Sequence, residues 1–113
     1  MTIPDFIDTH HHLWDLTNNS YPWLDDGIDH FVGDYEQIRK NYLIKDFLDS
    51  VGALPIKKSV HVQAEWDPSS DPSCETKWLQ SVADNKDSKG MPNAIIGFLN
   101  FKEKNIDEVL YRH

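Results

Sequence analysis

Apolar residues first gather at Phe6 and Ile7, ahead of the triplet His10, His11, His12 and the pair Leu13 and Trp14. A short apolar run bounded by polar residues predicts a strand running out into a loop. Residues 15–33 are rich in Asn, Asp, Gly and Pro, carry Tyr21, Trp23 and Phe31, and keep neither a strand nor a helix period, which predicts a long loop with aromatic anchors. Leu43, Phe47, Leu48 and Val51 then recur at helical spacing with Lys45, Asp46 and Asp49 between them, the pattern of an amphipathic helix stopped by Gly52. Ser59-Val60-His61-Val62-Gln63 is β-branched and reads as a second strand. Asp71 offers an N-cap, with Pro72 at the first helical position and Trp78, Leu79 and Val82 as the apolar face of a second helix. Ala94-Ile95-Ile96-Gly97-Phe98-Leu99 is continuously apolar, as expected for a strand buried on both faces. Asn105 and Glu108 have the spacing of a capping box, placing Val109 and Leu110 at the first buried positions of a last helix.

Strands alternating with single helices imply βαβ crossovers and a parallel α/β sheet. The rhythm matches the first three units of a (β/α)₈ TIM barrel, which takes about 250 residues, so the 113 residues read as one N-terminal, truncated part of such a barrel. The alternative is a small three-layer α/β domain with its last helix docked and both sheet edges protected. The barrel reading leaves sheet edges open, so self-association or a C-terminal partner segment is expected.

Composition narrows the chemistry. The 11 basic and 19 acidic residues give a net charge of −8, which argues against nucleic acid or an anionic membrane as main partner and leaves a small-molecule substrate or a protein. There is no apolar run long enough to span a bilayer and no secretory signal pattern, so a cytoplasmic location is expected. Cys74 is the single cysteine, which excludes an intramolecular disulfide and a cysteine-based zinc finger, so any metal site must use His and carboxylates.

In an extended strand Asp8, His10 and His12 share one face while Thr9 and His11 take the other. Two residues of strand separate Cα atoms by about 6.6 Å, near enough for both imidazoles to converge on one divalent ion, with Asp8 available to orient a ring. Two ligands fall short of the three or four usual for zinc, and the pair also suits ordinary buried or surface histidines. Trp14 and Trp23 fit either a substrate-stacking wall or loop anchors, and Tyr21 reads as an anchor. His61 reads as a hydrogen-bonded histidine deep in strand two, with Gln63 and Glu65 nearer its end and Gln63 a candidate substrate contact. Asn100 suits either a polar site residue or a strand-ending turn, and Cys74 a structural place.

The run Ile7-Asp8-Thr9-His10-His11-His12-Leu13-Trp14-Asp15, followed by Tyr21-Pro22-Trp23-Leu24, resembles the start of the amidohydrolase-related family, in its branch of lactonase-like metal-dependent hydrolases. Lys58-Ser59-Val60-His61-Val62-Gln63-Ala64-Glu65, the helix from Glu75 to Leu79 with Trp78, and Ala94-Ile95-Ile96-Gly97 are similar to that branch's second strand, second helix and third strand. The resemblance implies a (β/α)₈ barrel, a divalent metal such as zinc or manganese on His10 and His12, and water attack on a lactone or amide carbonyl. It further implies that the remaining ligands and the aspartate base come from later strands, so that this chain alone is inactive. A composite site in an oligomer, or a non-catalytic remnant or binding module keeping the first strands, are the competing readings.

Overall fold

A computed structural model of the chain describes residues 2–25 and 33–113. The predicted anchor Phe31 lies outside them. Strands β1 (Phe6–His11), β2 (Ile56–Val62) and β3 (Ala94–Ile96) form one parallel sheet in the order β1-β2-β3. Helices α1 (Pro22–Asp25), α2 (Ile44–Val51), α3 (Ser73–Asp84) and α4 (Ile106–Arg112) occupy the connections and the segment after β3.

Local chemistry sets the boundaries. At α2 the Asp46 carboxylate accepts the Leu43 N–H at 2.8 Å, and Gly52 ends the helix at φ 57°, a left-handed conformation that costs glycine little. At α3 Asp71 Oδ1 accepts the Ser73 N–H at 2.9 Å while Pro72 already holds helical dihedrals, the cap and first-turn arrangement its sequence predicts. At α4 the outcome differs. Asn105 makes no side-chain cap bond, so the Asn105–Glu108 capping box does not form; Val109 is buried, but Leu110 faces solvent.

One apolar cluster of Leu13, Phe47, Leu79 and Met91, with Ile56 and Ile95 against it, joins α2 and α3 to the sheet. A second, of Tyr21, Leu24 and Ala64 with Trp14, Trp23 and Trp66 around it, fixes the long loop after β1 to the chain leaving β2. The loop is further pinned by an antiparallel bridge between Trp14 and Tyr42.

The truncated-barrel expectation is corrected here. The three strands form an open sheet with edges at β1 and β3, and the fold of the described residues is a small α/β arrangement on a three-stranded parallel sheet. Alternating strand and helix specifies that successive strands pair in parallel; it carries no information about closure, and an open sheet has the same rhythm. The third strand is also shorter and more exposed than its apolar run suggests. It spans three residues, and Ile96 is 54% exposed, so β3 is not buried on both faces.

Candidate metal and ligand site

The histidine triplet divides between two environments. The parallel register pairs Asp8 with Ser59 and His11 with His61, so β1 carries one more residue than β2 over this stretch, a bulge at the edge strand. His11 turns into the core, stacked on Phe47 with ring centroids 4.2 Å apart and with Nε2 3.0 Å from Ser59 Oγ. His10 and His12 converge on the other side, with Nε2 atoms 3.3 Å apart and rings edge-on at 79°.

Val62 decides the tautomer of His12. The Nδ1–H donates to the Val62 carbonyl at 2.8 Å, which leaves Nε2 as a lone pair directed at His10. A carbonyl taking the distal ring proton is the support usual for a metal-binding imidazole. Two nitrogens each about 2.05 Å from a tetrahedral ion stand about 3.3 Å apart, so the pair has the spacing of two ligands on one such ion. Asp8, expected to orient a ring, instead accepts the backbone N–H of His10 at 3.0 Å. It shapes the bulge and leaves the imidazole alone. Among the described residues no three or more His, Cys, Asp or Glu side chains gather as a metal-binding group; the pair suits a divalent ion in donor type and spacing, with the tautomer set at His12, and supplies two positions.

Beneath the pair His61 is fully buried, its Nε2 accepting the Leu13 N–H at 2.9 Å. Burial pushes its pKa down to about 4, with the Leu13 contact opposing and the His11 and His12 charges adding to the fall. It is a neutral strut that ties β2 to the chain leaving β1.

A cavity of about 490 Å³ opens where β2 and β3 end, walled by Trp23, Trp66 and Phe98 and by the polar Gln63, Glu65 and Asn100. Gln63 follows Val62, so this wall begins one residue beyond the carbonyl that holds His12. Glu65 has φ 56°, a left-handed backbone disfavoured for a residue with a Cβ. Gln63 holds it there by two hydrogen bonds, its Oε1 accepting the Glu65 N–H at 2.8 Å and its Nε2–H donating to Glu65 Oε1 at 2.9 Å. Strain of this kind persists where neighbouring contacts over-determine it.

No family model and no solved structure matches the chain. It is 44% identical over 108 residues to a protein of Sinorhizobium fredii named "Uncharacterized protein y4mH", the match taking in 95% of this chain and 35% of that one. The chain spans about a third of that relative's length.

The remaining sequence candidates fall on either side of the cavity wall. Trp23 lines it, its indole N–H held by the Ala64 carbonyl at 2.9 Å, so one residue is both anchor and wall. Trp14 does not line it; its N–H donates to the Lys40 carbonyl at 2.8 Å and it packs on Trp23 and Tyr42. Tyr21 is wholly buried. Asn100 lines the cavity and also makes a turn, accepting the Lys102 N–H at 3.1 Å. Cys74 is a free, half-buried thiol.

Sequence reasoning did not single out Trp66, Phe98 or Glu75. Trp66 stands among Asp, Pro and Ser after β2, where an aromatic residue has no periodic pattern to flag it. Glu75 had a signal. It lies three and four positions before Trp78 and Leu79, on the apolar face of α3, and a carboxyl there must be buried.

Proposed function

We propose that the chain carries the His10–His12 half of a divalent-metal site in a hydrolase that directs water at a lactone or amide carbonyl. The observation that carries this reading is the 3.3 Å approach of the two Nε2 atoms together with the 2.8 Å Nδ1–H bond from His12 to Val62. The resemblance of the β1 motif to the amidohydrolase-related family supports the same assignment. Bound zinc would lower the pKa of its water to about 7, and zinc or manganese would polarise a carbonyl.

The chain's own residues do the rest that can be assigned to it. His12, fixed by Val62, presents an Nε2 lone pair, and His10, its backbone held by Asp8, would turn its Nε2 to the ion by giving up the proton it shares with His12. His61 stays uncharged beneath them and keeps β1 and β2 in register. Gln63 and Trp23, on the wall of a cavity that begins one residue beyond the Val62 carbonyl, are the substrate contacts of this reading. The further ligands and the general base come from another part of a longer polypeptide or from a second copy of the chain.

Zinc and manganese titrations by calorimetry test this. Weak binding at one site, lost in both His10→Ala and His12→Ala, is the expected result. Tight zinc binding that survives His10→Ala would overturn the assignment. A chain that binds metal weakly at this pair in every form, yet never completes a hydrolytic site with added segments, would be a binding module.

A further inference from the structure

Several hydrogen-bond donors of the cavity wall are already engaged. Arg112 Nε donates to Asp71 Oδ2 at 2.7 Å, Gln63 Nε2 to Glu65 at 2.9 Å and Asn100 Nδ2 to Glu103 at 3.1 Å. The two indole N–H groups are also engaged, Trp23 with the Ala64 carbonyl and Trp66 with Ser70 Oγ, at 2.9 and 2.8 Å. What these rings offer a ligand is therefore π surface.

Acceptors and negative charge, by contrast, are in excess. Among the described residues, Glu65, Asp67, Asp71 and Glu103 line the cavity against one cation, Arg112, which Asp71 already pairs. Asp67 is held ionised by hydrogen bonds from Ser69 that lower its pKa. An anion entering this space meets three carboxylates that Arg112 does not balance. A cation finds aromatic faces, which attract positive charge through the ring quadrupole, together with carboxylates that balance it.

We infer that the cavity binds the ammonium end of a small ligand, quaternary or methylated, between the rings of Trp23, Trp66 and Phe98, with Glu65 and Glu103 balancing its charge. A space of about 490 Å³ lies within the usual span of roughly 300–1,000 Å³ for small-molecule sites. That this ammonium belongs to the substrate of the histidine site rests on the function proposed above; its binding does not.

The test uses three probes of nearly one shape and different charge: choline, 3,3-dimethyl-1-butanol and 3,3-dimethylbutanoate. Each is titrated into the metal-free chain in chelator, followed by tryptophan fluorescence and by ligand-observed NMR. Choline should bind at least tenfold more tightly than the alcohol, and the carboxylate should not bind. Phe98→Leu and Glu103→Gln, at solvent-facing positions, should each weaken choline at least threefold with thermal unfolding unchanged. Equal affinity for choline and the alcohol, binding of the carboxylate, no choline binding, or choline binding indifferent to both variants would each overturn the inference. Zinc titration of the same samples separates the two proposals. Choline failing while zinc still needs His10 and His12 removes this inference alone, and the reverse removes the metal reading alone.

Discussion

Glu75 Oε1 accepts the Ala64 N–H at 2.9 Å, so a carboxyl from the first turn of α3 closes the end of β2. Burial raises the pKa of this group to about 7; the Ala64 bond opposes the rise and the Glu65 charge adds to it. An unfolded glutamate titrates at about 4.3, so the folded chain holds the proton more firmly between those values. The stabilising contribution is full below the unfolded pKa and is lost as pH rises through about 7.

Glu75→Gln keeps an acceptor for Ala64 and removes the titration. At pH 8 the variant should unfold about 5 °C above the parent, and the gap should close by pH 4.5. A gap that does not change with pH would show that Glu75 does not titrate in this window.

The buried histidines act with the opposite sign. Burial lowers the pKa of His61 to about 4 and also lowers that of His11, where the Asp8 charge opposes the fall and His12 and His10 add to it. Their stabilising contribution is present above the unfolded value of about 6.5 and is lost as pH falls towards the folded values. Between about pH 4.5 and 6.5 they and Glu75 pull against each other. Urea midpoints of the parent should therefore vary little across that range, and Glu75→Gln should become steeply acid-labile. An equally flat profile in the variant would contradict the opposition. His61→Ala, which strands the Leu13 N–H and opens a void, should cost about 3 kcal/mol at pH 7 by urea unfolding.

Much of this architecture was legible in the sequence because local rules govern it. Asp71 with Pro72 marks the start of α3, Gly52 stops α2, and alternation along β1 groups His10 with His12. Elements set by long-range contacts were not legible. The length of β3 depends on pairing with β2, which ends at Val62↔Ile96, so the apolar Phe98 and Leu99 leave the sheet and line the cavity. The barrel expectation failed for the same reason, since closure is a property of edges that no local run encodes. For the site, the sequence showed two histidines on one face, but it could not show that Val62 would set a tautomer or that Asp8 would take a backbone N–H.

That tautomer is directly measurable. Long-range ¹H–¹⁵N spectra should show His12 protonated at Nδ1, as its bond to Val62 requires. Zinc should then shift the Nε2 resonances of His10 and His12 together and leave His61 in place, because its Nε2 already accepts from Leu13. Zinc shifts on His61 with none on His10 would place the ion elsewhere.

Under the proposed function, catalysis separates two candidate ligands from a working site. Hydrolysis of a lactone or amide needs a positioned water, a base to take its proton and a polarised carbonyl, and the described residues bring two imidazoles and a cavity wall. Absence of a base alone costs on the order of 10² to 10⁴ in rate, and an incompletely held ion compounds that loss. The 113-residue chain with added zinc or manganese should therefore turn over a panel of sugar lactones and simple esters no faster than buffer. Activity should appear when further segments supply the missing groups, and it should then fall at least a hundredfold in His10→Ala or His12→Ala. Trp14→Phe, which lies off the cavity wall, should leave it within a few-fold of the parent. Robust metal-dependent turnover by the chain alone, rising with protein concentration as copies associate, would instead show that a second copy supplies the base.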